Sequence, residues 1–328
     1  SMLLSTGAAV LADDDATTDV TATATVTDTA AAEESKKLEV VQVGDLLKDQ
    51  ENWAAETGAL EFSSDKAAFT KKTRNIFTYT GKEFTNETLQ FKFSINFDNN
   101  NWGGFGLKGL SKDTVAWSGN YSYLVVFKEK QFELQRFSSA GNKFLAIVDN
   151  NGIVKSDQEC NVTFGAVEVE GGVQLFMYID GKLVFNCFDN DGNALTNAGY
   201  LSFYSGSKAT VGAYDAKDEL PDVPACLALS GSAADGAVKA SYSTLELSGK
   251  GEAPILRWGV SEDVNGQLTD IQKQGMSDFK DKYSPVGQYP WAENATGDTY
   301  TITDADKNHY IAAYLVDSIC HQFCFVCF

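Results

Sequence analysis

Two short stretches carry the residue types a saccharide contact needs. Asn101 and Trp102 end the polar turn Asp98-Asn99-Asn100-Asn101-Trp102, and Trp117, Tyr121 and Tyr123 interleave with small polar residues between 117 and 123. Flat rings stack on the apolar faces of sugar rings, while amide and phenol groups reach the hydroxyls. Either ring alone would suit a core as well, so the case rests on having both clusters. Arg136, in FELQRF, adds a planar fork that could grip adjacent hydroxyls or a carboxylate, a cross-strand ion pair being the equal alternative.

Hydrolysis of a glycoside would ask for two carboxylates roughly 5–10 Å apart. The nearest pattern, Glu168-Val169-Glu170, runs straight into Gly171-Gly172 and reads as edge charge beside a turn. Asp189-Asn190-Asp191-Gly192-Asn193 has the oxygen density that calcium prefers, with Asp189, Asp191 and Asn193 as candidate ligands. Its glycine comes fourth and no glutamate closes the loop, so a plain turn is the alternative. The expected cofactor is therefore none, or calcium at this loop.

Both histidines, His309 and His321, lie near the C-terminus, which removes Ser/His, Cys/His and multi-histidine zinc chemistry from the first 300 residues. Cys320, Cys324 and Cys327 cluster with His321 but lack a paired CxxC frame. The tail 318–328 reads as a truncation or reading-frame artefact rather than a metal site. Taking Gly171-Gly172 and Asp180-Gly181 as two-residue hairpin turns sets Cys160 beside Leu183 and Cys187 beside Gln174, too far apart to bridge. Both are expected as thiols.

The elements that must position these groups are short alternating runs. Leu89, Phe91, Phe93, Ile95 and Phe97 share one face of LQFKFSINF, which is the period of a half-buried strand. Similar runs recur every 10 to 15 residues to about Leu247, with short helices expected only at 41–47 and 64–71, and with 213–237 as a long loop. With no helices to make parallel crossovers, the pattern argues for an antiparallel sandwich. The 328 residues include 45 Asp+Glu against 26 Lys+Arg, a formal net charge of -19, and 43% are hydrophobic. Such acidity without a basic stripe excludes nucleic acid as a partner. No apolar run reaches the 18 residues of a transmembrane helix.

The motifs DLLKDQENW, LQFKFSINF, NNWGGFGLKG, YSYLVVFKEKQFELQRF, VQLFMYIDGKLVF, AGYLSFYSG and KASYSTLEL, in that order, resemble the concanavalin-A-like lectin/glucanase group, including laminin-G-like and fructan-binding modules. The resemblance implies an all-β, antiparallel jelly-roll β-sandwich over residues 38–249, shared by binders and enzymes alike. Glu168-Val169-Glu170 lacks the third acid of the E-x-D-x-x-E pattern in the laminarinase-like branch. Residues 250–317, with Trp258, Asp304–Asp306 and Tyr310, resemble a bacterial immunoglobulin-like surface repeat, a second and smaller β-sandwich.

The opening residues 1–12 read as the remnant of a signal peptide, and 13–37, rich in Ala, Thr and Asp, as a disordered tether. Together these features lead to a secreted, bacterial cell-surface protein whose sandwich is a non-catalytic carbohydrate-binding module. Its partner would be a polysaccharide or glycan, with association to the cell wall or to partner domains. A structural or protein-binding adhesin segment is the alternative, with a glycoside hydrolase or lyase ranked behind both.

Overall fold

The computed structural model describes residues 36–57, 60–70, 75–112, 119–169, 171–215, 223–246, 255–260, 297–307, 309–316 and 321–327. The expected signal remnant 1–12, most of the tether, Trp117, Glu170 and Cys320 lie outside the described residues.

Strands are numbered along the chain from β1 (Lys36–Lys37). Residues Lys37–Pro221 form one compact unit. Its seven-stranded sheet contains β3 (Trp53–Thr57), β6 (Asn75–Phe84), β8 (Gly103–Gly109), β9 (Ser122–Phe127), β10 (Gln131–Ser138), β11 (Gly141–Asp149) and β15 (Gly199–Ser205), in the order β11-β10-β9-β8-β15-β6-β3. The facing sheet contains β4 (Leu60–Phe62), β5 (Lys66–Phe69), β7 (Thr88–Ile95), β12 (Cys160–Val169), β13 (Gly172–Ile179), β14 (Lys182–Asp189) and β16 (Ala209–Gly212), in the order β14-β13-β12-β7-β16-β5-β4. A short strand, β2 (Val40–Gln42), adds to β7 as the eighth. β15 returns between β6 and β8, and β16 between β5 and β7, a nested return that makes this an antiparallel sandwich of jelly-roll type.

Alternation explains the packing. Leu89, Phe91, Phe93 and Ile95 are fully buried, each worth about 1.5–3 kcal/mol relative to exposure. Gln90 and Lys92 point the other way and stay half-exposed. Rings from both sheets meet edge-on in the middle: Phe105 of β8 lies 5.0 Å from Phe91 of β7 and 5.0 Å from Phe164 of β12. No helix among the described residues is long and apolar enough to cross a membrane.

Some expected elements differ. Lys66–Phe69 is a strand and not a helix, because its alternate side chains Ala67 and Phe69 fill the core. The first hairpin pairs Val169 with Gly172, not Glu170 with Val173, because Gly172 joins the strand. A bulge at Met177/Tyr178 then sets Cys187 against Leu175. β13 still separates Cys160 from Cys187, and both are free thiols. Burial pushes the Cys160 thiol up to about 12, and its Sγ donates to the Phe93 carbonyl at 3.4 Å. Iodoacetamide should therefore leave Cys160 unmodified in the native protein and label it after unfolding, as read by peptide mass mapping.

The expected boundary at Gly249 moves back to Pro221. The segment assigned to a long loop holds β17 (Val223–Ser232), which pairs with β18 (Ala237–Glu246), and β18 pairs in turn with β20 (Thr299–Thr301). This second unit also contains β19 (Ile255–Val260), β21 (Tyr310–Val316) and β22 (His321–Cys327), in the order β19-β21-β22. Residues 321–327 are thus a paired strand. Trp258 is buried, its Nε1 donating to the Gly297 carbonyl at 3.0 Å. The tyrosine that meets the acidic turn is Tyr300, whose Oη donates to Asp306 at 2.8 Å.

Candidate functional site: a junction of colliding strands

The described part of the expected rim does not assemble. Trp102 immediately precedes β8 and Tyr121 immediately precedes β9, with Gly103 paired to Phe127 and Leu107 to Tyr123. The two residues therefore sit at opposite ends of β8, about 23 Å apart at ~3.3 Å per residue. Trp102 is half-buried and packs on a cluster of Ile76, Leu124, Val126 and Tyr204, on the outer face of the seven-stranded sheet. Asn101, beside it, donates its side-chain amide to the Asp98 carbonyl at 2.7 Å.

Tyr123 and Arg136 are paired residues on neighbouring strands whose side chains face the interior, with 0% and 2% exposure, so neither can grip an external sugar. The alternation that buries Phe132 and Leu134 turns Arg136 inward as well. There its Nη1 donates to Asp189 at 2.5 Å and to Asp191 at 2.6 Å, while Nη2 donates to Asp191 at 3.0 Å. Tyr123 Oη donates to Asp189 at 2.8 Å and accepts from the Leu195 N–H at 2.9 Å. Lys143 reaches Asp191 at 2.8 Å. Asn193 donates its backbone N–H to Asp191 at 3.1 Å.

The loop expected to ligate calcium through Asp189, Asp191 and Asn193 is thus engaged by a guanidinium. The cations held by those carboxylates are Arg136 and, at Asp191, Lys143, and Arg136 ties β10 of one sheet to the end of β14 in the other. Its hydrogen bonds hold the Asp191 carboxyl well below the usual carboxylate range.

A different place in the sandwich has the shape of a site. β12 occupies one edge of β7 from Thr88 to Phe93, so β2 and β16 must share the other edge. β2 runs parallel to β7, pairing Val40 with Thr88 and Gln42 with Gln90. β16 runs antiparallel, pairing Ala209 with Ile95 and Gly212 with Lys92. The two strands therefore run head-on toward Phe91, and both must leave the sheet. The first turns into the one-turn helix α1 (Val43–Leu46), and the second continues as Ala213–Asp215.

Their divergence opens a cavity of about 550 Å³ lined by Gln42, Gly44, Asp45, Lys48, Ser64, Asp65, Ala213 and Tyr214. The turn before β5 supplies Ser64 and Asp65, and the Asp65 carbonyl accepts from the Ala213 N–H at 3.0 Å.

Hydrogen bonds across three strands fix its polar wall. Gln42 donates to Gln90 at 2.6 Å, Gln90 to Thr163 at 3.2 Å, and the Thr163 hydroxyl to Tyr214 Oη at 3.4 Å. Burial raises the Tyr214 phenol above its ordinary value, so it stays a neutral hydroxyl at physiological pH. Lys48 pairs with Asp45 at 2.6 Å on the exposed rim, which raises the ammonium.

Where the two segments pass, only glycine fits. A Cβ on Gly44 would stand 2.8 Å from both the Cα and the Cβ of Ala213. Gly44→Ala is expected to cost about 1–3 kcal/mol through backbone displacement, read as a lowered thermal midpoint.

No family model matches the chain, and no curated protein sequence does. Among solved structures it is similar to the carbohydrate-binding module CBM66 from Bacillus subtilis, with 14% identity, 50% of this chain and 93% of that one covered, and a TM-score of 0.39. It is similar to a protein of unknown function with a galectin-like fold, also from Bacillus subtilis, with 13% identity, 51% and 89% coverage and a TM-score of 0.40. It is also similar to a glycoside hydrolase family 16 endo-glucanase from Bacteroides ovatus, with 14% identity, 50% and 93% coverage and a TM-score of 0.37. Scores this low add nothing to the strand pairing on which the sandwich assignment stands.

Proposed function

We propose that the sandwich unit binds saccharide without catalysis and that the ligand lies in the junction cavity. One observation carries the reading: the Tyr214 ring, the Gln42 carboxamide, the Ser64 hydroxyl and two carboxylates line a single cavity large enough for a sugar residue. That is the combination of apolar face and hydroxyl partners that saccharides require. Gln42 and Tyr214 are held by side-chain hydrogen bonds to Gln90 and Thr163 before any ligand arrives, so these two groups need little ordering on binding. Asp45 is occupied by Lys48, leaving one carboxylate open to a ligand where glycoside hydrolysis ordinarily employs two.

The test is a glycan array followed by affinity electrophoresis of the full chain, in calcium and in EDTA. A polysaccharide that retards the protein equally in both is expected, and Tyr214→Ala should weaken binding about tenfold, the size of one aromatic stacking contact. Silence across plant, fungal and host glycans would overturn the reading. Release of reducing ends from a bound polysaccharide, lost in Asp65→Asn, would replace binding with hydrolysis.

A further inference from the structure

Resting on the saccharide reading of this cavity, we infer that it selects glycans carrying free, protonated amino groups over neutral and acidic ones. Charge pairing around the junction sets this preference. Five carboxylates and three lysines stand at or beside it, the fifth carboxylate being Asp180, whose charge reaches Tyr214. Lys48 is taken by Asp45, Lys66 by Glu159, and Lys92 by Asp215 at 2.6 Å. Among the described residues Asp65 and Asp180 are left without an ion pair, and of the two only Asp65 lines the cavity.

Among the described residues no lysine or arginine lies within ion-pair distance of Asp65, and its carboxylate accepts a single hydrogen bond, from the Ser64 hydroxyl at 3.4 Å. The cavity wall therefore holds one carboxylate without a direct ion-pair partner, felt only at longer range by Lys48 and Lys92, beside neutral hydroxyl, phenol and carboxamide groups. A neutral sugar would leave that charge as it is. A uronate or sulfate would add repulsion to it. A glucosamine-type ammonium would complete the fourth pair with up to three N–H donors. The same geometry suits an amine better than a bound metal ion, because Asp65 alone offers too few anionic oxygens for a hard divalent cation.

The exposed position of Asp65 limits the gain to that of a surface ion pair, about fivefold in affinity, and makes it salt-dependent. The experiment compares chitosan oligosaccharides with their fully N-acetylated counterparts by isothermal titration calorimetry, using the full chain at mildly acidic pH, where the amine is charged. Tighter binding of the amine form by about fivefold at low salt is expected, falling toward parity in molar salt and in Asp65→Asn. Lys48→Gln releases Asp45 and should widen the preference, the opposite direction from Asp65→Asn.

Equal affinity for both forms, with Tyr214→Ala still weakening each, would overturn the amine selectivity and leave the saccharide reading standing. An amine preference untouched by Asp65→Asn would also overturn it, since the charge would then act from elsewhere. If neither form binds while neutral glycans do, the selectivity falls alone. If no glycan of any kind binds, both fall.

Discussion

Replacing Arg136 with methionine is expected to destabilise the sandwich unit by about 3–5 kcal/mol, the cost of stranding a buried charge by removing its partner. Asp189 is 1% exposed and faces the guanidinium and the Tyr123 hydroxyl. Without Arg136 only a neutral donor remains for a carboxylate that water does not reach. Asp191 would keep Lys143 and is less affected. The urea midpoint of this unit's transition reads the loss.

A second variant separates charge from volume. Arg136→Met with Asp189→Asn removes both charges and should recover most of the stability, because a buried pair replaced as a whole is often close to neutral. If the double variant is as unstable as the single one, packing rather than charge is responsible. The pH dependence has a definite sign. Arg136 lowers the folded-state value of Asp191 below its unfolded one, so the stabilisation is present above an unfolded pKa of about 3.9 and fades as pH falls below it. Arg136→Met should flatten that acid slope.

The contrast between this network and the expected rim shows where local reading reaches its limit. Period-two alternation in LQFKFSINF identifies both faces of β7, and Asp180-Gly181 marks the turn between β13 and β14, where both residues take positive φ, 48° and 77°. Alternation in FELQRF puts Arg136 on the Leu134 face, and of the two equal readings, sugar grip and ion pair, the ion pair is the one present. The partners were invisible because Asp189 lies 53 residues away and on the other sheet. β5 is written KAAF, and alanine and lysine in a short run look helical until a neighbouring strand claims them. β17 contains Pro224 and Gly231, which read as loop although its pairing with β18 overrides them.

The junction cavity had no local signature at all. Gln42 and Tyr214 are brought together only because β12 fills one edge of β7 and forces two strands onto the other. Gly44 is small where the path needs close approach, yet nothing beside it in the sequence names Ala213 as the obstacle.

Phe105→Ala should cost about 3–5 kcal/mol, comparable to the loss of Arg136 but by a different route. The ring stands at the centre of the two-sheet core, edge-on to Phe91 and Phe164 of the facing sheet and 6.2 Å from both Phe127 and Phe203 of its own. Truncation removes the transfer energy of the ring and leaves a void whose walls are sheets, which cannot fold inward as a loop could. Phe105→Leu, which keeps most of the volume, should cost clearly less.

The effect should also reach the binding function. Phe91 lies between Gln90 and Lys92, the two residues against which the colliding strands end. Loosening Phe91 lets β7 shift and with it both walls of the cavity. Phe105→Ala is thus expected to lower the thermal midpoint and weaken saccharide binding together, whereas Tyr214→Ala weakens binding with the midpoint nearly unchanged. Equal binding by Phe105→Ala and the parent chain would show that the cavity is held by its own hydrogen bonds, from Gln42 through Gln90 and Thr163 to Tyr214, and not by the core beneath it.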